Sequence, residues 1–184
     1  VTPPADSTTD ITVNVAADVA ADAAGNGNIA AAQATQTVDT LAPTVPSVPD
    51  LNAGSDTGDS NSDNVTNDDT PQLDGTGEIG STVELTSDVA GSLGTAVVDG
   101  SGNWTRTPGA ALAEGTHSIT AKATDAAGNV SADSGALSLE IDTTDPNAPV
   151  ITGVAMDTGT ADDGVTSDDT LEISGTAEAD SMVE

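Results

Sequence analysis

Side chains that bind hard cations are concentrated in one stretch of the sequence, the acidic segment 56–69. Its oxygen-bearing residues include Asp56, Asp59, Asn61, Asp63, Asp68 and Asp69. Asp59, Asn61 and Asp63 alternate with serines, as ligands do in the first half of a calcium-binding loop. The next residue must turn sharply, and Asn64 tolerates the left-handed backbone that glycine usually supplies there. Thr70 stands where an EF-hand has its bidentate glutamate. We therefore predict a Ca²⁺ site of another kind, and the alternative is a solvated acidic loop.

The charge balance of the whole sequence also selects cations. Among 184 residues, 31 Asp and Glu face only two basic residues, Arg106 and Lys122, and the formal net charge is -29. A surface of this sign repels phosphates and anionic lipids, so we expect neither nucleic acid nor a membrane as a partner of this segment. The sequence has no cysteine for a disulfide. It shows neither an apolar run of membrane-spanning length nor a secretory signal.

Candidates for catalysis are weak. His117 is the one histidine, and no Ser or Cys is marked by the sequence as its nucleophilic partner, so a triad is not predicted. Carboxylates are so numerous that glycosidase-like pairs would arise by chance. Trp104 is the one aromatic residue among Phe, Trp and Tyr, and we interpret it as a core anchor rather than as a platform for sugars. We therefore predict that the protein is not an enzyme.

Apolar residues alternate with polar ones in several short stretches. The clearest are 81–85, 118–122 and 136–141, and such alternation indicates strands with one buried face. Apolar residues do not recur at helical spacing, and glycine and asparagine at 25–28 favour a turn in the alanine-rich stretch 16–34. High charge with almost no aromatic residues is also the composition of disordered chains. The alternation nevertheless favours an all-β fold.

Several segments of the sequence recur at a nearly constant spacing. The offset is 103 residues for the first two of the following pairs and 100 for the last two. The pairs are 38–43 with 141–146, 22–26 with 125–129, 65–70 with 165–170, and 75–78 with 175–178. The drop from 103 to 100 places a deletion in the second copy of the acidic segment, 157–169. Loops rather than strands therefore differ in length between the repeats.

A repeat of this length is too long for one coil of a solenoid and fits an autonomous β-sandwich of the immunoglobulin kind, with about seven strands. The chain then holds the last strands of one repeat in 1–40, a complete repeat in 41–142 and the opening strands of the next in 143–184. The predicted strands of the complete repeat are 46–53, 71–77, 82–87, 94–98, 103–107, 117–124 and 135–141. Pro43, Pro46 and Pro49 mark the linker and an edge strand.

The strand order of such a sandwich predicts which carboxylates gather at the junctions between repeats. The predicted junction residues are Asp39, Glu78, Asp125 and Asn129 at the first junction, and Asp142 and Glu178, beside the acidic segment, at the second. Ca²⁺ at a junction would neutralise repulsion within a Debye length of about 8 Å and fix the angle between repeats. The alternative for Asp125 and Asn129 is a plain hairpin turn, because turns use Asp, Gly and Asn.

Several motifs together give the sequence a family resemblance. They are DTLAP at 39–43, GTGE at 75–78, GNWT at 102–105, EGTHSITAKATDAAGN at 114–129 and LEIDTTDP at 139–146. With them the chain resembles the bacterial immunoglobulin-like repeats of giant type I secreted adhesins, the biofilm-associated and RTX adhesin group. The resemblance covers nearly the whole chain, although the segment 11–28 departs from the pattern.

The resemblance implies a calcium-stiffened extender on the bacterial cell surface, which holds a distal adhesive domain away from the cell for adhesion and biofilm formation. Its partners would be the neighbouring repeats of the same chain, with self-association as a further expectation, and its location would be extracellular after type I secretion. Two alternatives are a module that binds carbohydrate or a receptor directly, and a subunit of a self-assembling extracellular filament. A cluster of exposed aromatic residues would favour the binding module, and the sequence has none.

Overall fold

The computed structural model describes residues 2–155, 165, 167, 172–179 and 181–184. The regular secondary structure of these residues consists of β-strands. No helix in the described residues is long and apolar enough to cross a membrane. The backbone divides into two compact units, Val1–Thr143 and Thr144–Glu184. The predicted division into three repeat pieces stays a prediction.

The described residues form twelve strands. They are β1 (Ile11–Val13), β2 (Ala34–Gln36), β3 (Asp50–Leu51), β4 (Val65–Thr66), β5 (Leu73–Thr76), β6 (Thr82–Ser87), β7 (Gly91–Val97), β8 (Asn103–Arg106), β9 (Gly115–Thr124), β10 (Leu137–Ile141), β11 (Val150–Ala155) and β12 (Glu172–Thr176). The predicted all-β class is confirmed.

Two sheets form the complete repeat. The five-stranded sheet has the order β4-β10-β9-β6-β7 and the three-stranded sheet the order β3-β5-β8. β4 runs parallel to β10, with Thr66 opposite Ile141, whereas the other neighbouring strands are antiparallel. The first strand of the sandwich is thus divided between the sheets. It begins as β3, leaves through residues 52–64, which we call the acidic loop, and joins the opposite sheet as β4.

One apolar core lies between the two sheets. Alternate residues of β9 are buried, including Ile119, Ala121 and Ala123, because successive side chains of a strand point to opposite faces. The other core residues are Leu51, Leu73, Val83, Leu85, Leu93, Val98, Trp104, Leu112, Leu137, Leu139 and Ile141. Each buried Leu or Ile side chain stabilises the fold by about 1.5–3 kcal/mol. The core therefore fixes the register of the strands that carry the loops.

The strands differ from the predicted ones mainly in the first third of the repeat. β6 occupies the predicted residues 82–87, but only Asp50–Leu51 of the predicted strand 46–53 forms a regular strand. Outside it, the Ser47 N–H donates to the Thr76 carbonyl at 3.0 Å. Prolines at 43, 46 and 49 lack the N–H that a ladder needs, and β3 lies at the edge of its sheet. β4 was not predicted, because its two residues lie inside the acidic segment without any alternation.

Trp104 lies in the core as predicted, with 2% of its surface exposed. It lies on β8 directly opposite Gly75 of β5, and a Cβ on Gly75 would come within 2.2 Å of the indole ring. The indole Nε1–H donates to the carbonyl oxygen of Thr76 at 3.1 Å. The first glycine of the GTGE motif thus makes room for the single tryptophan.

Two further hairpins flank the complete repeat along the sequence. In the first unit β1 pairs with β2 antiparallel. In the second unit β11 pairs with β12, with an irregularity between Ile151 and Gly153. Three apolar side chains of this second hairpin are exposed, Val150, Ile151 and Ile173. Much of the shortened acidic copy, 157–169, lies outside the described residues.

Candidate functional site

The acidic loop is anchored at its base by hydrogen bonds to the flanking strands. The Thr66 hydroxyl donates to the Ser55 carbonyl, and the Thr57 and Thr66 hydroxyls lie 2.9 Å apart. The backbone N–H of Asp56 donates to the Asn52 carbonyl at 3.0 Å. These contacts hold the start of the loop against β4, so Asp56 is carried inward.

Asp56 is the buried carboxylate of the loop, with 4% of its surface exposed. Its Oδ2 accepts a hydrogen bond from the backbone N–H of Asn64 at 3.3 Å. Its Oδ1 is the one buried side-chain polar atom in the described part of the chain without a hydrogen-bond partner. Asn64 has a φ of 62°, the left-handed conformation predicted for it.

The alternating residues of the loop lie further out. Asp59, Asn61 and Asp63 are exposed, and the Asp63 carboxylate accepts the backbone N–H of Val65 at 3.2 Å. Of these three, Asn61 lines the same cleft as Asp56. The alternation therefore does not bring its three residues to one point beside Asp56.

The last two acidic residues of the segment belong to a turn that leads to β5. The Asp68 carboxylate accepts the Thr70 backbone N–H at 3.0 Å. Asp69 is exposed, and its carbonyl accepts the Leu112 N–H at 2.7 Å. Within the described residues, no three acidic or histidine side chains lie close enough to hold one metal ion together. Ca²⁺ in this segment stays a prediction, and it would require neutral oxygens as further ligands.

Residues predicted at the first junction do lie around the linker. The amide of Asn129 donates to the backbone carbonyl of Asp39 at 3.2 Å. The Asp39 carboxylate accepts the Leu41 N–H at 3.1 Å. Glu78, in the loop after β5, accepts the backbone N–H of Thr44 at 3.0 Å. These hydrogen bonds thus hold the chain where it passes into the complete repeat.

The same contact recurs in the second unit. Glu178 accepts the backbone N–H of Asn147 at 2.9 Å and the side-chain amide of Asn147 at 2.7 Å. These two hydrogen bonds lower the pKa of the Glu178 carboxyl below its usual value. Thr44 and Asn147 each follow the linker proline of their repeat, Pro43 or Pro146. We call this contact, from a loop glutamate to the first backbone N–H after the proline, the linker clip.

At the second predicted junction, the complete repeat makes contacts with the chain that leaves it. The backbone N–H of Asp142 donates to the Thr66 carbonyl at 2.9 Å, so the outgoing chain lies beside the end of the acidic loop, as the topology predicts. Thr143 then donates its hydroxyl to Glu114 at 2.7 Å. A shared ion at Asp142 and Glu178 stays a prediction.

Asp125 and Asn129 close a hairpin turn with the pattern D-x-x-G-N. Asp125 Oδ1 accepts the backbone N–H groups of Ala127 and Asn129 at 2.8 and 2.9 Å. Asp125 Oδ2 accepts the Asn129 amide at 2.9 Å. The Asn129 amide, followed by the backbone N–H groups, lowers the pKa of the Asp125 carboxyl. The turn therefore accounts for both residues, and a metal role for them stays a prediction.

The D-x-x-G-N turn occurs at three places, 22–26, 99–103 and 125–129. The glycines have φ values of 87°, 85° and 92°, which glycine adopts without strain. The aspartate oxygen accepts the third and fifth backbone N–H groups of the turn in every case. The turn at 99–103 was missed by the repeat comparison, because it recurs inside one repeat rather than between repeats.

His117 has a serine partner that the sequence did not reveal. Its Nδ1 lies 2.9 Å from the Ser87 hydroxyl, and its Nε2 lies 2.9 Å from the Ala113 carbonyl. A carbonyl only accepts, so Nε2 carries the proton and Ser87 donates to Nδ1. Both side chains are only 1% exposed, and a backbone carbonyl stands where a triad has its carboxylate. The pair thus fills the core as a satisfied polar contact.

The divided first strand, the five- and three-stranded sheets and the single core define an immunoglobulin-like β-sandwich module. The chain belongs to the bacterial Ig-like domain family, whose sequence profile matches residues 42–143. Domains of this family are typically non-enzymatic. No curated protein matches this chain.

Proposed function

We propose that this chain is part of an extender in a bacterial surface protein, in which successive Ig-like repeats hold another part of the protein at a distance. The linker clip carries the proposal, because Glu78 and Glu178 each bind the first backbone N–H after the linker proline. A repeat that binds the chain just after the linker restricts the direction from which its neighbour can approach. That is the property a spacer needs.

Calcium at the junctions is the second part of the proposal. Asp39 and Asp142 occupy equivalent linker positions, 103 residues apart. The Asp39 carbonyl accepts the Asn129 amide at 3.2 Å, and the Asp142 N–H donates to the Thr66 carbonyl at 2.9 Å. With a formal charge of -29, neighbouring repeats repel one another. Ca²⁺ bound by Asp39, Glu78, Asp142 or Glu178 would remove that repulsion and add oxygen–metal bonds across the linker.

The location and partners follow from the same proposal. An extender of this kind lies outside the bacterial cell after type I secretion, contacts mainly the neighbouring repeats of its own chain and supports adhesion and biofilm formation. We propose no catalytic role, since the Ser87–His117 pair lies in the core. Trp104 is equally buried, so the one aromatic side chain is not offered to a carbohydrate.

Solution scattering on a chain with two whole repeats tests the proposal. With Ca²⁺ we expect a longer and narrower particle than with a chelator, because junction ions stiffen the linker. Asp142→Ala should remove most of this difference. Glu84→Ala is the matched control, since it removes one carboxylate from the face of the five-stranded sheet, where Glu84 accepts the Ser92 hydroxyl at 3.0 Å. If the chelator leaves the particle length unchanged, the calcium-stiffened extender is wrong.

A further inference from the structure

A cleft beneath the acidic loop contains a carboxylate oxygen that nothing in the chain satisfies. The cleft has a volume of about 290 Å³, and the polar residues that line it include Asp50, Asn52, Asp56, Asn61, Asn64 and Asp74. Asp56 is 4% exposed and its Oδ1 has no hydrogen-bond partner. Its Oδ2 has one long hydrogen bond, 3.3 Å, from the Asn64 N–H. An ionised carboxylate held from water in this way is strongly destabilising unless it is paired.

No basic side chain of this protein supplies the pairing charge. Lys122 forms an ion pair with Asp133 at 3.0 Å, and Arg106 donates its Nε–H to the Leu93 carbonyl at 3.0 Å. These are the two basic residues of the sequence, and neither lines the cleft. If Asp56 is ionised, its counter-charge therefore comes from outside the chain.

The other side of the cleft adds negative charge. The two oxygens of Asp74 accept hydrogen bonds from the neutral amides of Asn52 and Gln72, at 2.6 and 3.1 Å. Its charge is therefore solvated by dipoles but not neutralised. Asp50 lines the same cleft and is exposed. The cleft thus combines a negative field with side-chain and backbone oxygens, which hard cations bind.

We infer that this cleft binds Ca²⁺ inside a single repeat, with the buried Asp56 carboxylate as its charged ligand. Because no three acidic side chains of the described residues approach closely enough to share an ion, the remaining ligands are neutral: the Asn61 side chain, carbonyl oxygens of the loop and water. Ca²⁺ accepts six to eight such oxygens in flexible geometry, whereas Mg²⁺ demands a near-ideal octahedron. The ion would tie the acidic loop to the sandwich, so it stabilises one repeat, whereas the junction ions of the proposed function act between repeats.

The second copy of the acidic segment retains the same two features in its sequence. Asp56-Thr57-Gly58 recurs as Asp157-Thr158-Gly159, and Asn64-Val65-Thr66 recurs as Gly164-Val165-Thr166. The sequence of the second copy therefore keeps the aspartate that is buried in the first copy, and it has glycine in place of the asparagine whose φ is 62°. Between them, Asp59 and Asn61 have no counterpart of the same type, whereas Asp163 precedes Gly164 as Asp63 precedes Asn64. This difference favours Asp56 over Asp59 as the charged ligand.

Amide chemical shifts of the full chain during a CaCl₂ titration test the site in 0.15 M NaCl. We expect saturable shifts in the acidic loop, at residues 56–64, with a dissociation constant of about 10⁻⁴ to 10⁻³ M, the range of extracellular calcium modules. Asp56→Asn should weaken binding about tenfold or more, since one charge-assisted contact is lost. Asp59→Asn, which removes the same charge from an exposed position of the same loop, should leave the constant nearly unchanged.

Two outcomes would overturn the inference: no saturable shift in the loop, or equal losses in Asp56→Asn and Asp59→Asn. If Asp56→Asn does not fold, Asn61→Ala takes its place, and unchanged affinity in that variant counts against the site. Loop shifts without any change of particle length would leave this site standing and contradict the junction proposal. A change of particle length without loop shifts would support the junction proposal and contradict the site in the cleft.

Discussion

Trp104 packs directly against the backbone of Gly75 on the neighbouring strand. The indole ring covers the backbone of Gly75, so that position has no room for a Cβ, which would lie 2.2 Å from the ring. The remaining aromatic surface is enclosed, and the indole N–H is satisfied by the Thr76 carbonyl. A core with no second aromatic residue depends on this one side chain for much of its volume.

The first prediction concerns this pair. Trp104→Ala should destabilise the repeat by about 3–5 kcal/mol, the range for large aromatic truncations. Gly75→Ala should destabilise it by about 1–3 kcal/mol through overpacking. Gly100→Ala is the control, because a Cβ there meets nothing within 4 Å. Urea unfolding followed by circular dichroism gives the values.

The two substitutions should also be coupled. In a Trp104→Ala background, Gly75→Ala should lose most of its effect, because the ring that it strikes is absent. Equal effects of Gly75→Ala in the two backgrounds would show that the glycine is needed for another reason.

The D-x-x-G-N turn is the smallest element that the sequence repeats. In each of the three turns a carboxylate accepts backbone N–H groups that the hairpin itself leaves unpaired. The side-chain amide of the asparagine that ends the turn, followed by these N–H groups, lowers the pKa of Asp22 and of Asp125, and the N–H groups lower the pKa of Asp99. The charged form of the aspartate is thus the form that closes the turn.

The second prediction is the pH dependence of one such turn. Because the pKa of Asp125 is lower in the folded than in the unfolded chain, its charge stabilises the fold above the unfolded value, about 3.9. This stabilisation is lost as the pH falls through the lower folded value. Asp125→Ala should therefore melt below wild type at pH 7, and the two melting temperatures should converge once the pH falls below the folded pKa of Asp125.

Asp59→Ala is the control for that experiment. It removes one charge from the acidic loop without breaking a turn, so its melting temperature should not fall below that of wild type at pH 7. A difference between Asp125→Ala and wild type that stays constant with pH would mean that the carboxylate hydrogen bonds do not stabilise the turn.

Strands with a regular alternation were predictable from sequence, and contacts made by single residues were not. β6 and β9 show period-two burial over many residues, so their positions follow from local pattern. β4 has only two residues, and its place follows from pairing with β10, which is distant in sequence. Ser87 and His117 are 30 residues apart, and their contact depends on the pairing of β6 with β9. Such contacts require the register, which local patterns do not contain.

The candidate site was also predictable only in part from the sequence. The acidic segment and the left-handed Asn64 were predicted from residue types and spacing, and the φ of 62° agrees. The D-x-N-x-D alternation pointed to Asp59 and Asp63 within that segment, whereas the buried carboxylate belongs to Asp56. Burial of Asp56 results from hydrogen bonds of its neighbour Ser55 to Thr66 of β4 and to Gln72, which directly precedes β5. A sequence pattern alone does not show which of several aspartates the loop carries inward.

The whole molecule carries a charge that resists compaction. A formal charge of -29 with two basic residues leaves nearly every carboxylate without an ionic partner in the chain, and one ion pair, Lys122 with Asp133, occurs among the described residues. Two distinct effects of salt follow. Monovalent ions screen repulsion between distant charges, whereas Ca²⁺ binds several particular oxygen atoms at once.

The third prediction separates these effects by thermal melting of the full chain. Raising NaCl from about 0.01 to 0.15 M shortens the Debye length from about 30 to 8 Å, so the melting temperature should rise through screening alone. Adding Ca²⁺ at about 10⁻³ M or above, the affinity range of extracellular modules, should then raise it further at constant NaCl.

A site at a hundredfold excess of ligand adds about 2.7 kcal/mol to the folded state. Mg²⁺ at the same concentration is the control, and its effect should be smaller because Mg²⁺ demands near-ideal octahedral geometry and loses its water ligands reluctantly. If Ca²⁺ raises the melting temperature no more than Mg²⁺ or an equal increment of ionic strength from NaCl, the carboxylates of the acidic segment and the junctions are only solvated surface.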